Sequence, residues 1–370
     1  MAIKLLIVDD SALMRKKISA LFQDAGDFIV QTAGNGSEAI AKNLTFEPDV
    51  VTLDINMPEL DGLTALAEMM LQRPVPVVMV SSLTAQGKLA TLEAMALGAV
   101  DVITKPDGTI SLALEQIEQE LLTKVRVAAK AKVHVKKTSA PLQLGSAKPK
   151  AAIIAHHPPE KLKKMVSQPR QRPTESPDDL SGLVLIGVST GGPGTLELIL
   201  RQLPANFPFP IVVAQHMPGA FTGAFASRLN TLCALTVQEV SSLQRLETGF
   251  VYIARGDADI VLTQRAGILY LQPKPEDPRY RWHPSVELLG RSALEVCDAQ
   301  AMIAVMLTGM GDDGAEAFSQ IHACGGRTIA ESEASAVVFG MPKELIQRRG
   351  ATLVLSADKI AQQLQHWVCS

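Results

Sequence analysis

The chain of 370 residues is poor in the features that staple or anchor a polypeptide. Its four cysteines, Cys233, Cys297, Cys324 and Cys369, form no CxxC pair, which argues against a disulfide framework or a zinc site. The N-terminal apolar run reaches Asp9-Asp10 too soon to be a signal peptide or a membrane span. There is no internal repeat and no helix-turn-helix pattern. These absences predict a cytoplasmic protein without membrane insertion. What is present is a large apolar fraction, 47%, enough for more than one packed core, so wholesale disorder is excluded. The length suggests two domains of roughly 100–200 residues each.

Charge is unevenly placed. From Lys124 to Arg172, 13 Lys and Arg face one acid, Glu160; this stretch therefore carries +12, and the rest of a chain of net charge −3 carries −15. About residues 125–180 hold seven prolines with scattered Lys and Ser and no sustained period, the composition of an extended linker too long to join two elements of one domain. Two uses of its charge stay open: a solvated, self-repelling tether, or a dock for an acidic surface. A DNA-binding regulator would also explain the basic run, but the C-terminal part lacks a recognition-helix pattern and is acidic.

On either side, strand-like and helix-like stretches alternate. Ile3–Val8, Val50–Leu53, Val75–Val80 and Val100–Ile103 are apolar runs of the kind buried on both faces of a parallel sheet, with amphipathic Ala12–Ala25 and Gly36–Leu44 between them. Leu183–Val188, Pro210–Ala214, Met302–Leu307 and Thr328–Ala330 repeat the pattern. The short alternating runs Phe250–Ala254, Asp259–Thr263 and Ile268–Leu271 suggest an antiparallel excursion. The expected fold class is α/β: two doubly wound parallel-sheet domains joined by a long linker, with boundaries at 1–122, 123–180 and 181–370.

In the first domain, polar residues fall where strands end. Asp9 and Asp10 follow the first strand, Asp54 the third, Ser81 the fourth and Lys105-Pro106 the fifth, so they converge on one crevice. Carboxylates with a lysine suit Mg2+ and an aspartyl phosphate. Any one of these aspartates alone would read equally well as a helix cap. The stretches IVDDSALMRK, DVVTLDINMPELDG, PVVMVSS and ALGAVDVITKP resemble the receiver domain of two-component response regulators, a flavodoxin-like fold, over about residues 1–122. The resemblance implies Asp54 as phosphoacceptor, Asp9, Asp10, Asp54 and the Asn56 carbonyl around Mg2+, Ser81 as the switch hydroxyl and Lys105 as a phosphate contact. The receivers' switch aromatic is replaced by Val102, so aromatic rotation is not the expected readout.

In the second domain, Gly187-Val188-Ser189-Thr190-Gly191-Gly192 satisfies GxSxG after a strand and before the helical stretch Pro193–Leu200. The same glycines equally describe a phosphate loop. His216 follows the strand Ile211–Ala214, and Asp312-Asp313-Gly314 follows Met302–Met306, so a serine, a histidine and an aspartate can meet at three strand ends. Asp312-Asp313 also reads as a plain turn. His283 and His322 are competing bases, His322 falling mid-helix by pattern.

The stretches VLIGVSTGGPGTL, VVAQHMPGAFT, PSVELL, MLTGMGDDGA and AESEASAVVFGMP resemble the catalytic domain of the chemotaxis response regulators that act as protein-glutamate methylesterases, in a Rossmann-like fold. That resemblance implies Ser189 as nucleophile, His216 as base and Asp313 as orienting acid, preferred over Asp312 because it directly precedes Gly314. It implies the amides of Thr190 and Met310 as oxyanion donors, and an open mouth lined by Phe221 and Met217. It further implies chemoreceptors as substrates, a chemotaxis histidine kinase as phosphoryl donor, methanol release, glutamine deamidation, and a receiver that covers the catalytic face until phosphorylated. Mg2+ serves the receiver only, and ester hydrolysis needs no cofactor. A phosphate sink lacking catalysis would not need Ser189, His216 and Asp313; a serine hydrolase of the same scaffold acting on another acyl substrate remains open. Two departures stand out: His283 precedes Pro284-Ser285-Val286-Glu287 where Arg or Lys is usual, and Glu331 stands where Gln is common. Both bear on substrate recognition.

Overall fold

In a computed structural model of the chain, residues 2–81, 84–105, 112–133 and 180–368 are described. The N-terminal domain comprises β1 (Ile3–Val8), α1 (Ala12–Asp24), β2 (Phe28–Ala33), α2 (Gly36–Thr45), β3 (Val50–Asp54), α3 (Gly62–Gln72), β4 (Val77–Ser81), α4 (Ala85–Leu97), β5 (Asp101–Thr104) and α5 (Leu112–Ala128). Its five strands form a parallel sheet in the order β2-β1-β3-β4-β5. Helices α1, α2, α3 and α4 start where the side chains of Ser11, Asn35, Asp61 and Thr84 accept a bond from the amide three residues on. The strands β3 and β4 are buried at every position, as their unbroken apolar runs require. The edge strand β2 buries only Ala33 fully, so no such run marks it in the sequence.

Helix α5 carries the N-terminal domain past residue 122. Leu121, Leu122, Val125 and Ala128 are buried in the core with Phe22 and Ile103, so residues 123–128 belong to the receiver-like fold rather than to a linker. The basic run therefore begins inside a folded element. Lys124 pairs with Asp101 and Glu120, both at 3.0 Å, Arg126 with Asp27 at 2.8 Å, and Lys132 with Glu333 at 3.3 Å. Residues 134–179, which hold the rest of the basic stretch and its prolines, lie outside the described residues.

The C-terminal domain comprises β6 (Leu183–Val188), α6 (Gly192–Leu200), β7 (Ile211–Gln215), α7 (Gly219–Leu232), β8 (Thr236–Val240), β9 (Gln244–Arg245), β10 (Phe250–Ala254), β11 (Asp259–Arg265), β12 (Ile268–Lys274), α8 (Val286–Val296), β13 (Met302–Met306), α9 (Ala315–Ala323), β14 (Arg327–Glu331), α10 (Met341–Gln347), β15 (Leu353–Leu355) and α11 (Ala357–Val368). Seven strands form a parallel sheet ordered β15-β14-β13-β6-β7-β10-β8. The antiparallel excursion is smaller than the sequence suggests: it contains β11, β12 and β9, whereas β10 pairs parallel with β7 and β8 in the main sheet. The burial of Val251, Tyr252, Ile253 and Ala254 explains why: β10 is sandwiched like the other central strands. Among the described residues, no helix is long and apolar enough to cross a membrane.

Both sheets place their chemistry at a switch in strand order. In the first, β1 lies between β2 and β3; in the second, β6 lies between β7 and β13. Helices leave such neighbours on opposite faces, so a crevice opens at the carboxyl ends of the strands.

Candidate active site

The turn after β6 carries Ser189 and is tied to its neighbours through the backbone. The Ser189 amide donates to the Thr308 carbonyl at 2.9 Å, and the His216 amide to the Val188 carbonyl at 3.0 Å. Gly191 adopts φ +78° and packs against the Val337 side chain, a conformation and a space that suit glycine alone. Thr308, fully buried, holds the turn from below: its hydroxyl donates to the Thr190 carbonyl at 2.8 Å. Buried Gln215 adds a bond from Nε2 to the Ser189 carbonyl at 3.0 Å.

His216, at the end of β7, lies with Nε2 2.9 Å from Asp313 Oδ2. Its Nδ1 is buried and, among the described residues, without a partner. Asp313 is buried, and besides His216 it receives the Ser285 hydroxyl at 3.0 Å and the amides of Val286 and Glu287 at 2.7 and 3.0 Å. Asp312 is exposed, and His216 turns to Asp313 instead. An acceptor held this firmly fixes the proton of a neutral imidazole on Nε2, which leaves a basic lone pair on Nδ1. The rival histidines are engaged elsewhere: His283 with Asp259, and His322, in the last turn of α9, with Thr352.

Gly309 approaches Ser189 so closely that a Cβ there would stand 2.7 Å from Ser189 Cβ, which brings the Gly309–Met310 peptide beside the serine. Among the described residues, the amides of Thr190 and Met310 make no hydrogen bond, as donors reserved for a developing oxyanion would not. Phe221 does not line a mouth: it lies on the buried face of α7, fully within the core, while Met217 borders the site. Glu331 is also fully buried; it accepts from the Thr308 amide at 2.8 Å and from the Ser335 hydroxyl at 2.9 Å, so it shapes the nucleophile turn from beneath rather than facing a substrate.

The receiver-like domain closes this site. The Gly191 amide donates to the Val100 carbonyl at 3.0 Å, and the Thr190 hydroxyl to Asp101 Oδ2 at 2.7 Å. Met95, Val100, Asp101 and Val102 leave a cavity of about 10 Å³ beside Ser189 and His216, room for no more than about one water. Sequence reasoning missed Asp101, Gln215 and Ser285. Gln215 adjoins His216, and Ser285 caps α8 by accepting from the Leu288 amide, but neither spacing nor residue type singles out Asp101.

The second cluster lies at the strand ends of the N-terminal sheet. Lys105 Nζ stands 2.7 Å from Asp54 Oδ2 and 3.0 Å from Asp9 Oδ2. Burial raises the Asp54 carboxyl and outweighs the opposing pull of Lys105; burial also pulls Lys105 down, but its two carboxylate partners hold it above the usual lysine value. Asp9, Asp10 and Asp54 each offer an oxygen within 4.8 Å of one another, a donor set that fits a hard, oxygen-seeking dication. Asn56 is exposed and donates its amide to Asp54 Oδ1 at 3.3 Å. The Ser81 hydroxyl donates to the Gly87 carbonyl at 3.3 Å and accepts from the Thr91 hydroxyl at 2.9 Å. Val102 is buried in the core. Pro106 lies outside the described residues.

Comparison with known proteins agrees with both halves. Residues 5–115 match the response regulator receiver domain, and residues 184–364 match the CheB methylesterase family. The protein-glutamate methylesterase/protein-glutamine glutaminase 3 of Rhodospirillum rubrum is 54% identical over 365 residues, covering 99% of this chain and 96% of its own length. The protein-glutamate methylesterase/protein-glutamine glutaminase 2 of Rhodopseudomonas palustris is 49% identical over 365 residues, with 99% and 98% covered. The crystal structure of the Thermotoga maritima CheB methylesterase catalytic domain aligns at 41% identity and a TM-score of 0.49, covering 50% of this chain and 98% of that one.

Proposed function

The chain belongs to the family of protein-glutamate methylesterases/protein-glutamine glutaminases, and we propose that Ser189, His216 and Asp313 are the residues with which it hydrolyses γ-glutamyl methyl esters and deamidates glutamines on chemoreceptors. The observation that carries this assignment is the His216 ring, bonded to Asp313 through Nε2 and bare at Nδ1, beside a serine on a strand–turn–helix. Ser189 Oγ attacks the acyl carbon while its proton passes to His216 Nδ1. The carbonyl oxygen becomes an oxyanion, received by the amides of Thr190 and Met310. As the tetrahedral intermediate collapses, the leaving oxygen takes the proton from His216 and departs as methanol. Water then attacks the acyl-serine with His216 again as base, releasing the glutamate carboxylate and restoring Ser189. With a glutamine side chain the same steps release ammonia. Both reactions need only the chain's own groups at this site.

The receiver supplies regulation by phosphorylation. Asp54 is the acceptor for a phosphoryl group from a chemotaxis histidine kinase, and Asp9, Asp10, Asp54 and the Asn56 carbonyl would hold Mg2+. When bound, the ion neutralises charge on the transferring phosphoryl group. Lys105 contacts the phosphate, and Ser81 reaches it only after leaving Gly87 and Thr91. Phosphorylation favours a state in which Val100 and Asp101 release the nucleophile turn. The setting is the cytoplasmic side of membrane-bound receptors, with no nucleic acid involved.

The test is methanol release from methylated receptor membranes. Ser189→Ala abolishes it; undiminished release from that variant would remove the serine mechanism. A panel of other acyl esters separates receptor hydrolysis from a related serine hydrolase.

A further inference from the structure

Residues 281–287 wrap the triad without being part of it. The Trp282 ring lies parallel to that of His216, with centroids 5.9 Å apart and 3° between planes. Gly311 packs against the indole so closely that a Cβ there would stand 2.6 Å from it. Three residues further on, Ser285, Val286 and Glu287 supply three of the bonds to Asp313. One short segment thus sets both the plane of the base and the position of its acid.

The segment is pegged by His283. Its Nδ1 lies 3.1 and 3.0 Å from the two carboxylate oxygens of Asp259, whose side chain is fully buried at the start of β11. The same carboxylate accepts the amides of Ser285 and Asp277, both at 2.8 Å. Ser285 is therefore held on one side by Asp259, through its amide, and holds Asp313 on the other, through its hydroxyl. A buried carboxylate is costly unless its charge is answered, and among the described residues His283 is the cationisable side chain bonded to Asp259. The His283 side chain is 15% exposed, and its Nε2 has no partner among the described residues.

We infer that His283 is a positioning residue for the hydrolysis, holding Trp282 and Ser285, and through them His216 and Asp313, by its bond to buried Asp259. The inference rests on the triad assigned above. A permanent cation, usual at this position in the family, would hold the segment at any pH; a histidine holds it most firmly when protonated. The other charged groups facing it are Asp277 on the loop after β12, Arg279 paired with Asp277, Arg281 over the Trp282 ring at 5.3 Å, and Asp313 beyond Ser285. Asp277 is anionic throughout the working range, because Arg279 holds its carboxyl at about 2.

The experiment measures methanol release from methylated receptor membranes by the full chain, activated with Mg2+ and a small acyl phosphate, from pH 5 to 8, where imidazole side chains change charge. His283→Ala is expected to lower kcat about tenfold with KM little changed, since misplacing a catalytic group slows chemistry more than binding. His283→Asn, a neutral donor, is expected to fall between wild type and His283→Ala. His283→Arg is expected to restore kcat and to lack an ionisation present in the wild-type kcat profile. Superposable wild-type and His283→Arg profiles, or a rise in KM with kcat intact, would overturn the inference; if His283→Ala fails to fold, the Arg and Asn variants decide. Ser189→Ala run alongside keeps the two claims apart: activity in that variant refutes the triad, whatever His283 does.

Discussion

His216 meets Asp313 through Nε2 and keeps Nδ1 buried and, among the described residues, without a partner. The sense is opposite to that of the best-known triads, in which Nδ1 meets the acid, but the logic is the same: the acid dictates which nitrogen carries the proton. Asp313→Asn therefore has a definite consequence. A carboxamide presents an N–H to Nε2 as readily as an oxygen, the imidazole proton moves to Nδ1, and the lone pair that Ser189 needs is lost. Methanol release in single turnover is expected to fall by about four orders of magnitude. Circular dichroism checks that the fold survives, because Asp313 also anchors the start of α8. A residual rate within tenfold of wild type would show that Asp313 does not set the tautomer.

At the scale of elements, the strands that position the site were readable because burial on both faces leaves an unbroken apolar signature. Ile3–Val8 and Leu183–Val188 match β1 and β6 at both ends, and the polar residues just beyond them are the ones that converge. The pattern fails where burial is one-sided or shared. The edge strand β2 leaves no apolar run, β10 shows alternation yet sits in the main sheet, and the basic residues of α5 hide a buried apolar face. The clamp between the end of α4–β5 and the start of α6 was illegible for a different reason: Val100 acts through its carbonyl, and Asp101 is one more aspartate until its partners are seen. Asp101 joins largely buried Lys124 to Thr190. The pair with Asp101 and Glu120 holds the Lys124 ammonium above the usual lysine value even against the cost of burial. A hydrogen bond to a charged group contributes about 1.5–3 kcal/mol. Asp101→Ala is thus expected to raise basal methanol release about tenfold and to narrow the gain on phosphorylation. Unchanged basal release would mean that this bond does not hold the site closed.

Across the whole molecule, Asp54 lies in one switch-point crevice and Ser189 in the other, and the contact that reaches the nucleophile turn is made by neither Asp54 nor Lys105. Asp54 and Lys105 lie at the carboxyl ends of their strands, while Val100 and Asp101 lie at the opposite end of β5. Removing residues 1–133 is expected to raise basal release above that of the unphosphorylated full chain, since the Val100–Gly191 and Asp101–Thr190 bonds go together. The cut must fall after α5 rather than at residue 122, or the last turns of that helix are left behind with Val125 and Ala128 stripped of their core. A truncated enzyme no faster than the unphosphorylated parent would reject inhibition by the receiver.

One of the two closing bonds is main chain to main chain. The Val100 carbonyl reaches the Gly191 amide whatever side chain residue 100 carries, so substitution there leaves the bond's chemistry unchanged. The Asp101–Thr190 bond, by contrast, changes with either residue. Closure therefore has a floor set by the path of the backbone and an increment set by sequence. Variation at position 101 can adjust the resting activity of this enzyme without discarding the latch itself.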